Sequence, residues 1–356
     1  MTTKSSKRGL KVAVVGVTGA VGREMLAVME GRKFPVQDFV GFASARSEGK
    51  NIRLNDKTYR CQSLKKGCFE GVDLAFFDAS DSISNEWVPE ALNAGAWVVD
   101  NSSAHRMKPD VPLIVPEVNG HALEKSLKTS PSSRLVAGPN CSVAQLVVAL
   151  KPLHEKWGIK RVVVSTYQST SGAGTAAMDE LSRQTVAMFN QGSIEPKFFP
   201  HQIAFNCIPQ IGSFKENGNT SEENKMIEEA RKLLEIPGLK ISVTAVRVPT
   251  FSCHAESVNV EFEKSLTPEE AREVLNSADG IQVLDDPSKN IYPMGFTHSG
   301  GSVEAATGRD AVYVGRIRRD ESTENGLNFW VVSDNLRKGA ALNAIQIGEV
   351  LLRALV

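Results

Sequence analysis

The sequence predicts an α/β protein in two parts. A doubly wound parallel sheet comes first, and an α+β domain follows whose closing helix returns to pack on the first part. Three observations carry this reading. Short, valine-rich apolar runs alternate with amphipathic stretches through the N-terminal part of the chain. A glycine-rich turn joins the first run to the first helix. Beyond residue 141 the strands lengthen and the spacing between them becomes irregular.

Residues 10–16 are short, apolar and valine-rich, as a parallel strand buried on both faces must be. After the glycine turn, Val21, Met25, Val28 and Met29 fall on one face of a helix over Ala20–Glu30. Phe39–Phe42, Val72–Phe77, Ala96–Val99 and Leu135–Ala137 read as further buried strands, with a helix over Asn85–Asn93. This unit is Rossmann-like. A helix near Ser142–Leu153 opens the second domain. Strands are expected at Arg161–Gln168, Ile241–Val248, Ser257–Glu263, Ala311–Ile317 and Phe329–Val332. Helices are expected near Thr175–Phe189, Ser221–Leu234, Pro268–Asn276 and Leu336–Leu352. The expected division is residues 1–140 as a nucleotide domain and 141–335 as a catalytic and dimerisation domain, with 336–356 as a helix returning to the first.

Bulk composition narrows the class of function. Lys+Arg and Asp+Glu both number 41, so there is no basic excess of the kind that nucleic acid or anionic membrane attracts. No apolar run approaches the roughly 18 residues a membrane helix needs. The basic opening at residues 1–8 leads into a glycine turn rather than a cleavage site, which argues against a signal peptide. Cys61, Cys68, Cys141, Cys207 and Cys253 are odd in number and scattered, so they predict neither a disulfide framework nor a metal site. A reducing cytoplasm is the expected compartment.

Gly16-Val17-Thr18-Gly19-Ala20-Val21-Gly22 lies between the first strand and first helix. Glycines there allow a sharp turn, and the helix N-terminus offers N–H groups and a positive dipole to a pyrophosphate. The spacing is GxxGxxG, and a tight turn without a ligand is the alternative. NAD sites usually place an acidic residue about 20 residues on, to hold the ribose 2′-hydroxyl. Here the second strand runs into Ser44, Arg46 and Ser47, which can donate to a 2′-phosphate. A polar surface loop is the alternative; combined with the glycine turn, NADP is the expected cofactor.

Cys141 stands where a strand ends and a helix begins, a position that lowers a thiol pKa from about 8.5. By itself it could equally be a small buried hydrophobe. Arg247 and His254 lie close in sequence, offering a carboxylate clamp and a group that exchanges protons near neutrality. Cys253 beside His254 is no dyad, because strand neighbours face opposite ways. The other histidines, His105, His121, His154, His201 and His298, are read as structural. Gln168, Ser171 and Gly172 occupy a strand end that turns into a helix. They could supply an amide donor and cofactor contacts, or form a plain helix cap.

Taken in order, several motifs resemble those of the aspartate-semialdehyde dehydrogenase family along nearly the whole chain. They are the glycine turn, Ala43–Ser47, Asp100-Asn-Ser-Ser-Ala-His-Arg106, Pro139-Asn-Cys141, Gln168 with Ser171-Gly172, Glu222–Lys225, Arg247-Val-Pro, His254-Ala-Glu-Ser and Asp334–Gly339. The resemblance implies that Cys141 attacks L-aspartyl 4-phosphate to give a thioester, which NADPH reduces to L-aspartate 4-semialdehyde. It makes His254 the general acid/base and Gln168 the residue that orients the acyl group. Arg247 would bind the α-carboxylate, Arg106 and Lys225 the phosphate, and Glu222 the ammonium, with Asn140 beside the nucleophile. Asn335 would meet the nicotinamide side of the cofactor. At least a homodimer, built through the second domain, is implied. A dianionic leaving group calls for cations and a zwitterion for both signs of charge, so the residue types suit the chemistry independently.

Rival readings are less well supplied. N-acetyl-γ-glutamyl-phosphate reduction would need no ammonium partner, which Glu222 offers. Glyceraldehyde-3-phosphate dehydrogenase chemistry lacks its cysteine context here. A Rossmann-fold binding protein without chemistry would not keep both Cys141 and His254. His105, where a bulky aromatic is expected, and Cys253, where a smaller residue is usual, have no role in this scheme.

Overall fold

The structure, a computed structural model, describes residues 9–129, 134–296 and 304–355. The basic opening at 1–8 and His298 lie outside them. The chain divides into two compact units. The first takes in the chain up to Pro116, Gly120–Gly138 and the C-terminal segment from Ala341; the second takes in Glu117–Asn119 and Pro139–Ala340.

In the first unit, β1 (Leu10–Val15) leads through the glycine turn into α1 (Ala20–Gly31), followed by β2 (Val36–Phe42). A hairpin of β3 (Asn51–Leu54) and β4 (Lys57–Arg60) comes next, a feature absent from the sequence reading. Its turn residues Asn55 and Asp56 both hold positive φ, at 49° and 61°, as a two-residue hairpin turn requires. Then follow β5 (Leu74–Phe77), α2 (Asp81–Asn93), β6 (Trp97–Asp100), α3 (Pro116–Thr129) and β7 (Leu135–Ala137). Helix α2 begins four residues earlier than expected because Ser80 accepts from the Ile83 N–H and caps it. Helix α3, also unexpected, is kinked at Asn119. The sheet order is β2-β1-β5-β6-β7, every pair parallel, so the strand order reverses beside β1.

The second unit begins with α4 (Cys141–Trp157), β8 (Ile159–Gln168), α5 (Thr175–Phe189) and α6 (Ser221–Leu234). It continues with β9 (Lys240–Arg247), β10 (His254–Phe262), α7 (Pro268–Ser277), β11 (Ile281–Val283), β12 (Val312–Asp320) and β13 (Gly326–Ser333). Its mixed sheet runs β11-β12-β13-β10-β8-β9, antiparallel through the middle with a parallel pair at each edge. Helix α4 packs along β8, β10, β12 and β13, with α6 and α7 beside it.

The C-terminal helix α8 (Leu342–Leu355) belongs to the first unit. Its Leu342, Ile345, Ile347 and Leu351 share one core with Val12, Val14, Met25, Met29, Phe34 and Phe76. Each such fully buried side chain contributes about 1.5–3 kcal/mol of transfer free energy.

Two boundaries differ from the expected division. The first break follows Gly138, not residue 140, because the Asn140 N–H donates to Glu229 and its side chain to Glu222, both of the second unit. The C-terminal break precedes Ala341, not residue 336. Before α8 the chain makes a π-turn over Arg337–Ala341, in which Lys338 pairs with Glu117 and Gly339 lies against Cys141. Both partners belong to the second unit.

Candidate active site

In the first unit, Gly16 turns the chain at a φ of 90°. A Cβ there would overlap the Asp78 carbonyl, and one on Gly22 would sit 2.7 Å from the Val17 Cα. Glycine is therefore required at both places, and α1 starts flush against the turn. Helix α1 has no side-chain cap at Gly19 and no acidic residue in its first turn, so no side chain among the described residues caps the N–H groups near Ala20 and Val21. Thr18 accepts from Arg23 through its carbonyl. At the end of β2, Ser44 and Arg46 are exposed and Ser47 is buried in a 3₁₀ turn. Asp78 follows β5 beside the glycine turn, and burial, with the Asp100 charge adding to it, pushes its carboxyl up to about 6.

In the second unit, Cys141 is the first residue of α4 and is half-buried. Asn140 caps the helix, its Oδ1 accepting from the Ser142 N–H at 3.0 Å and the Val143 N–H at 3.3 Å. Its Nδ2 donates to Glu222 at 2.8 Å, and Gln168 Nε2 reaches the same carboxylate oxygen at 3.1 Å. Thr166 in turn donates to Gln168 at 3.0 Å. The Asn140 side chain thus holds the helix that Cys141 opens and Glu222 together. Lys225 lies half-buried one helical turn beyond Glu222 on α6.

His254 opens β10, directly opposite Gln168 on β8 and Ser333 on β13, and is fully buried. Its Nδ1 accepts from the Ser169 backbone N–H at 3.1 Å. The Ser169 carbonyl accepts from Arg247 Nη1 at 2.6 Å, so one residue fixes both groups. Burial lowers the Arg247 pKa, while Cys141 and Glu222 lie near enough to favour its charge. The Ser169 hydroxyl reaches Ser171 and Asn335, and Asn335 Nδ2 donates to Ser171 at 3.0 Å. Gly172 covers the imidazole: a Cβ there would be 3.0 Å from His254 Nε2 and 3.2 Å from Arg247 Nη1. The structure therefore gathers Cys141, Gln168, Ser171, Gly172, Glu222, Arg247, His254 and Asn335 within one unit.

Ser169 escaped the sequence reading because its two principal contacts come from the main chain. Glu256 escaped it too. Two residues beyond His254 on the same face, its carboxyl is fully buried and pushed well above the usual range by that burial, partly offset by Gln145 of α4. Cys253 turns to the opposite face, packing with Ala306, Tyr313 and Val332, its Sγ 3.2 Å from Thr307 Oγ1. Burial pushes that thiol up to about 12, which makes it a structural residue.

His105 also acquires an explanation, in the first unit. Its Nδ1 lies 2.7 Å from Asp100 Oδ2, and Asp100 further accepts from Ser84 and twice from Ser102. The loop so fixed carries Arg106, which donates to the carbonyls of Gly138 at 2.9 Å and Asn101 at 2.6 Å.

Comparison with known proteins agrees with this arrangement. Residues 11–126 match the NAD binding domain of semialdehyde dehydrogenase, and residues 150–338 match its dimerisation domain. The chain is 51% identical to an aspartate-semialdehyde dehydrogenase of Aquifex aeolicus, over 97% of this chain and 98% of that one. It superposes with a TM-score of 0.91 at 44% identity on the Vibrio cholerae aspartate semialdehyde dehydrogenase II complexed with ASA, covering 98% of this chain and 99% of that one. A Candida albicans aspartate semialdehyde dehydrogenase solved with NADP matches at a TM-score of 0.72 and 25% identity, over 98% and 99% of the two chains. Matched in both of its units and along nearly its whole length, the chain belongs to the aspartate-semialdehyde dehydrogenase family.

Proposed function

We propose that the chain carries out reductive dephosphorylation of L-aspartyl 4-phosphate to L-aspartate 4-semialdehyde through a thioester on Cys141, with NADPH as reductant. This would serve synthesis of lysine and diaminopimelate, threonine, methionine and isoleucine, and the enzyme would work as a homodimer or larger homo-oligomer. The carrying observation is the half-buried Cys141 at the start of α4, in one unit with His254, Arg247, Gln168 and Glu222.

The first unit suits the cofactor. Gly16 and Gly22 leave a cradle that a Cβ would fill, at an uncapped helix start, so Gly16, Thr18, Gly19, Ala20, Val21 and Gly22 are the proposed pyrophosphate contacts. Ser44, Arg46 and Ser47 are the proposed 2′-phosphate contacts, and no carboxylate stands at the end of β2 itself, where it would repel that group. From the second unit, Ser171, Gly172 and Asn335 are proposed to meet the cofactor. When bound, NADPH supplies the hydride that reduces the thioester carbonyl.

The chain's own residues do the rest. The Cys141 thiolate attacks the acyl carbon and phosphate leaves. Arg247 holds the α-carboxylate, Glu222 the ammonium, and Gln168 orients the acyl group. Asn140 acts by fixing Glu222 and the start of α4. Lys225 and, in the first unit, Arg106 are the proposed phosphate cations. His254 is the proposed general acid/base.

The purified protein should form NADPH from L-aspartate 4-semialdehyde only when inorganic phosphate is present, with N-acetyl-glutamate semialdehyde inert. Cys141→Ser should fold and lose nearly all of this activity. Retention of more than about a tenth of kcat/KM, a loss under roughly 1.4 kcal/mol, would remove the thioester.

A further inference from the structure

We propose that Glu229 of α6 is a positioning residue for Cys141: its carboxyl group holds the main-chain N–H of Asn140 and so fixes the peptide from which α4 starts. The proposal deepens the thioester reading and rests on it.

The chain between β7 and α4 is only three residues long, Gly138-Pro139-Asn140. The Gly138 N–H donates to the Asp100 carbonyl at 2.8 Å, and Pro139 has no N–H to place. The Asn140 N–H belongs to neither ladder. The sheet has ended before it, and the first helical bond, from the Ala144 N–H, goes to the Asn140 carbonyl on the other side of the residue. Its partner is Glu229 Oε2 at 2.6 Å. Asn140 is 6% exposed and Glu229 1%, so the bond is sealed from solvent. A main-chain donor buried in this way cannot lose its acceptor without cost.

The Asn140 side chain cannot take over the task. Its Oδ1 caps α4, and its Nδ2 donates to Glu222. Glu222 and Glu229 stand seven residues apart on α6, two helical turns along one face, and both converge on this asparagine. One carboxyl takes the side chain and the other takes the main chain. Glu222 is the proposed ammonium contact, whereas Glu229 meets the chain at the residue before Cys141.

Consecutive Cα atoms are about 3.8 Å apart, so a peptide that turns at 140 carries the Cys141 thiol with it. On another side, Gly339 packs against the Cys141 Cα and Cβ. The main chain of Cys141 is thus held both through α6 and by the π-turn. Removing the Glu229 carboxyl leaves the Asn140 cap of α4 in place, so the helix still forms and its starting point is what shifts. A misplacement of about 1 Å at a reacting group costs on the order of 100-fold in rate.

Glu229→Leu keeps most of the side-chain volume and removes the acceptor. It should lower kcat for phosphate-dependent oxidation of the semialdehyde by about 30- to 100-fold, with KM for semialdehyde and for phosphate within about threefold of wild type. Glu229→Gln retains an oxygen for the Asn140 N–H and should recover kcat to within about fivefold of wild type. Rates are expressed per folded molecule, with the folded fraction taken from thermal melts. A residue that served the fold alone would lower the melting temperature and leave that kcat unchanged. A leucine variant within about threefold of wild-type kcat, or a glutamine variant as impaired as the leucine one, would overturn the proposal. Should the leucine variant not fold, Glu229→Asp, which withdraws the carboxyl by one carbon, carries the same test: a loss of about tenfold or more in kcat supports the proposal, and wild-type kcat overturns it. Failure of the parent reading looks different. The wild-type enzyme itself would then lack activity that depends on Cys141 and phosphate, and the proposal would fall with it.

Discussion

Gly339→Ala probes how closely the π-turn positions Cys141, the proposed nucleophile. A Cβ at 339 would stand 2.8 Å from the Cys141 Cβ, 3.1 Å from its Cα and 3.3 Å from its carbonyl oxygen. Carbon pairs rest at about 3.5–4.0 Å, so separation by roughly 0.7–1 Å is needed. All three atoms belong to the rigid frame of Cys141, and no side-chain rotation relieves the clash. Displacing a reacting group by about 1 Å costs on the order of 100-fold in rate, close to 2.7 kcal/mol. Against this, alanine favours a helical backbone over glycine by about 0.5–1 kcal/mol, which offsets part of the local strain. The variant should therefore keep a melting temperature within a few degrees of the parent while kcat/KM for the semialdehyde falls about 100-fold. Initial rates at saturating phosphate, with thermal melts on the same preparations, measure both. A folded variant within about threefold of wild-type kcat/KM would show that Cys141 is not held by this contact.

Three further outcomes are expected. Arg46→Ala should weaken NADPH binding by about 10- to 150-fold, the loss of one charge-assisted contact, and leave NADH binding nearly unchanged; equal losses in fluorescence titrations would give Arg46 a structural role. Asp78 has a folded pKa raised to about 6 from 3.8, so its ionisation opposes folding increasingly from about pH 4 to pH 6 and fully above. Asp78→Asn should accordingly be more stable than wild type at pH 8 by roughly 1–3 kcal/mol and no more stable near pH 3.5, as urea melts at the two pH values would reveal. Arg247→Leu should chiefly raise KM for the semialdehyde and Lys225→Met that for phosphate; the reverse pattern in initial rates would exchange the two sub-sites.

Much of this architecture was legible where residue type and geometry are tightly linked. The β1–glycine turn–α1 unit could be read because few residues other than glycine fit at 16 and 22. Cys141 at a helix start could be read because Leu135–Ala137 and the apolar run after Asn140 are strongly patterned. The β3–β4 hairpin was hidden because Asn55-Asp56 forms its turn without glycine and its strands are only four residues each. Helix α3 was hidden by its kink at Asn119. Within the site, the proposed side-chain roles came from motif order, whereas the part of Ser169 was invisible because peptide groups bear no residue-type signature. His105 became intelligible only once Asp100, five residues earlier, was seen to bond to it.

The peptide of Ser169 ties His254, at the proposed reacting end of the substrate, to Arg247, the proposed clamp for its far end. With the α-carboxylate on Arg247 as proposed, the distance between those two ends is set by main chain rather than by adaptable side chains. The site then behaves as a calliper of fixed span, admitting a four-carbon amino acid and misplacing the carbonyl of a homologue one methylene longer. Because the span is written in backbone, most replacements at 169 would leave it intact, and only proline, which has no N–H to give, would open the jaws.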